Sequence, residues 1–447
     1  MKTSIQFINH ASVIVSDGET SVLSDPWYTG DIFHKGWNLL HETSYQDIDN
    51  MLNSITHIWI SHEHPDHFSI PFFKSYAQKI KDLSITILFQ KTKDKRVLKF
   101  LTAQGIDVQE LYFNRAHAIT SDYKVTCIKD GFYDSGLLIE SHGEKILNLN
   151  DCEIKTSARI NDVYSVTGNV DILLTQFSFA AWKGGKKNKR WRDEAAAEKI
   201  NTMKLQIEKF KPNKVIPFAS FVYFSNYENF YLNDAVNKPK DLREKLKKFA
   251  SKLIIMAPFD EVGGIKQRIN IENAVAFWDK KYQILKPVTR FETVDITEIR
   301  KSFELYCKRI HNNNNINLIK IIRAISPISA FKPCIVHLED LDISIKFDYA
   351  KKSFIETTEQ AMLSMKSESL NFIFKNSFGF DTLTVNGCFE EVSKNGFVRA
   401  AKTLAIENLN NLGINIEVKT LFNFSIIKLF LARLYMVTRK LKSLDKI

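Results

Sequence analysis

The hexapeptide His62-Glu63-His64-Pro65-Asp66-His67 follows directly on Ile55-Thr56-His57-Ile58-Trp59-Ile60-Ser61, a nearly unbroken apolar run. Such a run predicts a buried strand. A strand end followed by a short loop can aim several side chains at one point. Imidazoles at i and i+2 can grip one ion, and an Asp and a His at i+4 and i+5 can serve it or a second ion about 3.5–4 Å away. The rival reading is a His-rich surface loop. It is disfavoured because the chain holds only 11 histidines and this loop gathers three of them with an aspartate. His62, His64, Asp66 and His67 are therefore the expected ligands of one or two divalent metal ions. Imidazole suits zinc, iron and manganese, and a carboxylate adds hard-ion character, so zinc or iron is expected first and manganese third.

Around this loop, short β-branched segments alternate with helical periods. Ser4–Phe7, Ser12–Val15, Ser21–Leu23, Ile85–Phe89, Lys124–Ile128, Gly136–Glu140, Lys145–Leu149, Asp171–Gln176, Lys214–Pro217 and Leu253–Ala257 read as strands. Ile70–Lys81, Lys95–Gln104 and Glu194–Phe210 read as helices. Interleaving of this kind predicts a layered α/β domain over residues 1–290. Pro287 and the polar run after it read as a linker. Helical patterning over Ile296–Ile310, strands over Ile335–Phe347 and Thr382–Phe389, and a helix near Thr357–Ser364 then predict an α+β domain over residues 291–420. The Asn312–Asn315 run reads as a break.

The loop resembles the metallo-β-lactamase superfamily, whose hallmark is HxHxDH. His62, His64, Asp66 and His67 match it in full. Strands ending at Asn9-His10-Ala11-Ser12 and Ser24-Asp25-Pro26-Trp27 precede it, as in the branch of ascorbate-6-phosphate lactonases and N-acyl phosphatidylethanolamine phospholipases D. The resemblance implies a four-layer αββα sandwich. It also implies that Asp151, after Lys145–Asn150, bridges two metals, and that Asp66 orients an attacking water or takes its proton.

A narrower resemblance, over roughly residues 5–265, is to the catalytic region of the CMP-N-acetylneuraminate hydroxylase family. It is carried by Asp25-Pro26-Trp27-Tyr28-Thr29-Gly30, Gly36-Trp37-Asn38-Leu39-Leu40-His41-Glu42, Lys145-Ile146-Leu147-Asn148, Cys152 and Pro217-Phe218-Ala219. Three departures matter. That family joins a Rieske domain to the metal domain, whereas this sequence opens on the metal domain and its scattered Cys127, Cys152, Cys307, Cys334 and Cys388 supply no such cluster. An oxygenase reaction then needs a separate electron-transfer protein. The histidine usual before the bridging Asp is missing, leaving Asp130, Asp134 or the more distant His117 to substitute. The late histidine after Val215–Phe218 is missing too, with Ser220, Tyr223 and Asn226 in that region.

A net charge of +11 favours an anionic small-molecule substrate over a neutral one. The segment from Trp182 to Arg192 carries six cations and no acid, and Trp182, Lys186, Lys187, Arg190 and Arg192 are the expected substrate contacts. The plain alternative is a solvated charge run before a helix. No nucleic-acid partner is expected. The unpaired cysteines and the lack of a signal peptide predict a cytoplasmic protein. Residues 295–420 faintly resemble the sterol-carrier-protein-2 fold, through Ile343–Phe347, Met365–Leu370 and Phe380–Gly387. Residues 421–447 carry a basic amphipathic helix that can cover its own protein or make a peripheral membrane contact. Three functions stay open: hydroxylation of a nucleotide sugar, metal-dependent hydrolysis (a lactonase or phosphodiesterase), and a degenerate site in a binding protein.

Overall fold

The computed structural model describes residues 3–263, 269–326 and 329–417. The amphipathic segment 421–447 lies outside the described residues.

Two mixed sheets face each other. The first runs Glu261–Gly263, Ser4–Asn9, Ser12–Ser16, Ser21–Ser24, His57–Ile60, Thr86–Gln90, Val108–Leu111. It is antiparallel up to Ser21–Ser24 and parallel beyond. The second runs Lys214–Phe218, Ile172–Gln176, Glu144–Asn148, Asp134–Ser141, Tyr123–Asp130, Ala116–Ala118. Alternation along the strands explains the layering. Trp59 and Leu88 point inward, into a cluster shared with Leu137, Ile139 and Leu147 of the second sheet. Ile58, Ile60, Ile87 and Phe89 point outward, into a cluster with Phe72, Phe73 and Ile80. Both faces are covered, which is why the strand before the metal loop is apolar throughout. On the far side, Ile200, Met203 and Ile207 of the helix Lys189–Phe210 close the second sheet. The result is a four-layer αββα sandwich, the architecture that the sequence resemblance implies.

Residues beyond 290 build a five-stranded sheet, Ser353–Glu356, Ile343–Asp348, Cys334–Leu338, Leu363–Met365, Glu390–Glu391, with the helices Ile296–Asn313 and Ser367–Lys375 packed together. One apolar cluster unites the two halves: Trp27, Phe33, Trp37 and Trp182 join Phe303, Phe374, Phe380 and Phe389. The expected linker is anchored, with Val288 and Thr289 donating backbone N–H groups to the Ser225 carbonyl.

Four local expectations are corrected. Leu253–Ala257 makes only an isolated bridge from Leu253 to Val215. The Asn312–Asn315 run is an ordered junction, where Asn315 caps the helix Ile316–Ile325 through its side chain. Near Thr357–Ser364 the chain forms no helix and enters the strand Leu363–Met365. Thr382–Phe389 is mostly the helix Gly379–Asn386, stopped by Gly387 in the left-handed region with its N–H donated to the Leu383 carbonyl. The alternating Thr-Leu-Thr-Val pattern suggested a strand, but tertiary packing of Phe380 and Leu383 overrides that propensity.

Candidate metal centre

The metal loop is a tight turn. The N–H groups of His67 and Phe68 donate to the His64 carbonyl at 3.0 and 2.7 Å, and Ser69 then caps the helix Ile70–Asp82. The turn points His62 and His67 into the gap between the sheets, where both are fully buried, and leaves His64 open to solvent. Their rings lie 4.2 Å apart, centroid to centroid.

Other strand ends converge on the same point. Asp151 follows the strand Glu144–Asn148, and its Oδ2 lies 3.6 Å from His67 Nε2 and 3.9 Å from His62 Nε2. Asp134 opens the strand after the three-residue hairpin turn at Gly131, and its Oδ1 lies 3.8 Å from His62 Nε2. His10 sits in the turn between the first two strands. Its Nε2 is 3.6 Å from Asp66 Oδ2, which is 3.1 Å from His67 Nε2.

The ligand atoms form three groups, each within 4.8 Å: His62, His64 and Asp134; His10, Asp66 and His67; and His62, His67 and Asp151. The first two each offer two imidazoles and one carboxylate. Asp151 lies between the histidines of both. All five residues expected from the sequence are thus brought together, and Asp134 is the one of the three suggested substitutes that joins them. Asp130 is paired with Arg159 at 3.2 Å, and His117 meets Gln109 at 2.7 Å. His10 escaped the sequence reading as a ligand. It follows a strand, Ser4–Asn9, that already alternates polar and apolar residues, so a further polar residue at its end carries no local signal.

A second ring of residues orients the imidazoles. His67 Nδ1 lies 3.0 Å from Asp25 Oδ2, so it donates there and turns Nε2 to the site. Ser61 Oγ donates to Asp25 at 2.8 Å and accepts from Asn150 at 3.0 Å. Its remaining lone pair accepts from His62 Nδ1 at 2.9 Å, which also presents Nε2 to the site. Asn150 donates to Asp25 as well. Asp25 and Asn150 have φ of 38° and 54°, left-handed conformations that asparagine and aspartate tolerate better than most residues.

The residues fit a bound metal. Both ring nitrogens of His10, Oδ1 of Asp66, Nε2 of His67 and Oδ1 of Asp151 are buried without a hydrogen-bond partner. Unpaired buried polar atoms are costly, and cations facing Nε2 of His10 and His67 and the Asp66 and Asp151 oxygens remove that cost at those atoms. The electrostatics agree. Burial disfavours charge on His67, yet Asp66, Asp151 and Asp25 hold its proton affinity well above the imidazole range. Burial lowers His10 and His62. Burial raises Asp66, but His67 and His10 pull it well below the usual carboxylate range. The pocket gathers the carboxylates Asp25, Asp66 and Asp151 around its imidazoles, as a cation site requires.

The basic loop packs into the junction of the two halves. Trp182 is 5% exposed, packed on Trp191, Phe389 and Phe397 at the junction of the two halves. Arg192 is 1% exposed, donates to both Asp234 oxygens at 2.7 Å and to the Gly185 carbonyl at 2.7 Å. Lys186 donates its backbone N–H to Glu390, and Arg190 pairs with Glu194 at 2.9 Å. Lys187 is exposed. Trp182 and Arg192 are thus committed to the fold.

The chain is similar to cytidine monophosphate-N-acetylneuraminic acid hydroxylases: 25% identical over 272 residues to that of Danio rerio, covering 57% of this chain and 44% of the relative. Against that of Mus musculus it is 25% identical over 262 residues, covering 55% and 44%. It therefore spans less than half the length of these relatives. Among solved structures, CmlA, a diiron β-hydroxylase from Streptomyces venezuelae, aligns with 56% of this chain and 52% of its own at 14% identity and a TM-score of 0.39. A putative metal-dependent hydrolase from Parabacteroides distasonis aligns with 56% and 91% at 14% identity and a TM-score of 0.34. No family model matches the chain.

Proposed function

We propose that this chain is a metal-dependent hydroxylase that acts on an anionic nucleotide sugar with electrons from a separate carrier protein. One observation carries the reading. Each half of the candidate centre, His62/His64/Asp134 and His10/Asp66/His67, is a set of two imidazoles and one carboxylate, with Asp151 between them. Two imidazoles and one carboxylate with open positions is a donor set that non-haem iron uses with O₂ and that zinc uses in hydrolases, and the likeness to hydroxylases tips the choice to iron. The likeness to the hydroxylases supports the choice of substrate class. The five cysteines are free, buried and dispersed, so an iron–sulfur cluster would be supplied from outside these residues.

His62, His64 and Asp134 would hold one ion, His10, Asp66 and His67 the other, and Asp151 would contact both. When bound, the ions supply the O₂-activating and electron-accepting chemistry that protein side chains lack. The remaining work belongs to the chain. Asp25, Ser61 and Asn150 fix the tautomers of His67 and His62, keeping the proton on Nδ1 of each so that both Nε2 lone pairs face the site. The two sheets exclude water from the inner faces of His62 and His67. His64 stands at the solvent side, where substrate enters.

The second reading is hydrolysis, as a lactonase or phosphodiesterase. It is favoured by Asp66, whose Oδ1 has no partner and could take a proton from an attacking water. Metal analysis of protein purified without added metal separates the two. Iron with O₂-dependent turnover supports the hydroxylase, and zinc with hydrolysis of a lactone or phosphodiester overturns it. Unchanged metal content in the double variant His62→Ala/His64→Ala sinks the metalloenzyme reading altogether, leaving a binding protein.

A further inference from the structure

A cleft of about 370 Å³ opens beside the metal loop. Glu63, Gln90 and Tyr133 line it. Glu63 stands between His62 and His64, Tyr133 precedes Asp134, and Gln90 donates to the Ser61 carbonyl at 2.8 Å. The cleft is therefore walled by immediate neighbours of the candidate ligands. Gln90 is 2% exposed. Its amide nitrogen donates to the carbonyls of Ser61 and Tyr133, and since only the NH₂ end can donate, the amide has one orientation. Its Oε1 is left buried with no partner.

Charge accumulates on the same wall. Lys91, Lys93 and Lys129 line the cleft, and among the described residues none of them pairs with a carboxylate. Lys91 Nζ meets the Tyr112 hydroxyl at 2.7 Å, and Lys129 lies over the Phe113 ring at 5.7 Å. The two acids present, Glu63 and Asp94, are both held by Arg96, at 3.0 and 2.6 Å. Phe113 and Phe132 supply flat apolar surface. The far half of the chain closes one side, where Tyr133 donates to the Asn411 carbonyl at 3.2 Å.

We infer that this cleft, and not the basic loop at 182–192, binds the nucleotide part of the substrate. The phosphate lies among Lys91, Lys93 and Lys129. The base lies against Phe113 and Phe132, and an N–H of the base donates to Gln90 Oε1. The inference rests on the nucleotide-sugar reading and gives it a place.

Titration of the metal-loaded protein with cytidine monophosphate, cytidine and inorganic phosphate tests it. Lys93→Glu/Lys129→Glu should weaken cytidine monophosphate by about tenfold or more, since charge-assisted contacts to phosphate are lost and reversed. Both ligand fragments should bind more weakly than the nucleotide. Hydrogen exchange on the wild-type protein reads the same question without a variant: cytidine monophosphate should protect residues 90–96 and 129–134. Nucleotide binding that ignores the Lys93/Lys129 variant, or that weakens instead in Lys186→Ala/Lys187→Ala/Arg190→Ala, overturns the cleft and leaves the proposed function standing. Phosphate binding as tightly as the nucleotide overturns the assignment of a base. No nucleotide binding at all overturns the inference together with the nucleotide-sugar reading.

Discussion

Asp25 Oδ2 lies 3.0 Å from His67 Nδ1, on the side of the ring away from the candidate metal position, and both residues are buried. The same carboxylate takes the backbone N–H of Ser61 at 2.7 Å and the Ser61 hydroxyl at 2.8 Å. One side chain thus sets the orientation of His67 directly and of His62 through Ser61. Asp25→Asn replaces an acceptor-only group with an amide that cannot receive all of these donors. Metal affinity should fall by about 10–100-fold, the usual cost of losing a partner that orients a metal-bound imidazole. A metal titration that returns the wild-type affinity, in a protein of unchanged circular dichroism, would remove Asp25 from this role.

The two donor sets predict different losses. Wild-type protein should load about two ions per chain, and His10→Ala about one, because His10 serves only the Asp66/His67 set. Asp134→Ala should likewise cost the ion of the His62/His64 set alone. Asp151→Ala should weaken both. Elemental analysis after dialysis reads these stoichiometries, and a wild-type ratio in His10→Ala would show that His10 is a buried bystander.

How much of this was visible beforehand follows from distance along the chain. His62, His64, Asp66 and His67 are contiguous, so the motif exposes them. Asp151 is reached only through the family resemblance, since an aspartate at a strand end is by itself an ordinary turn former. His10 and Asp25 lie at the ends of other strands, and only the pairing of those strands beside His57–Ile60 carries them to the site. Their roles require sheet order, which no local pattern encodes. The layered α/β reading held because alternation and apolar runs are local signals. The helix Gly379–Asn386 was misread because its β-branched sequence is overruled by contacts with Phe33 and Gly36, more than 300 residues away.

Trp182 illustrates a related confusion between a basic loop and a basic surface. Its ring fills the junction against Phe389 and Phe397 at 4.6 and 4.7 Å, and a side-chain carbon added at Gly387 would come within 3.0 Å of it. Trp182→Ala should therefore lower stability by about 3–5 kcal/mol, as for other buried aromatic truncations. Urea denaturation measures this. A variant as stable as wild type, yet with a selectively raised KM, would return Trp182 to the substrate.

His34 offers a pH-dependent test of the same junction. Phe33, His34 and Lys35 all lie in the left-handed region, and this strained turn slots His34 between Phe291 and Phe372, with ring centroids at 5.0 and 4.0 Å. Burial in that sandwich lowers its pKa from 6.5 to about 4, against the opposing pull of Glu368, which is 3.7 Å away. Because the folded pKa lies below the unfolded one, the unfolded chain takes up the proton first as pH falls. The contribution of His34 to stability is therefore complete above about pH 6.5 and is lost progressively down to about pH 4. His34→Gln does not titrate, so its stability should decline less over that window than the wild type's. Thermal or urea unfolding at pH 7 and pH 5, on both proteins, gives the comparison. Parallel declines would mean that His34 stays neutral in the unfolded chain or is free to protonate in the fold, and that the junction is held by its other contacts: the Lys35–Glu368 pair at 2.8 Å and the Asn386 amide on the Phe33 carbonyl at 3.0 Å.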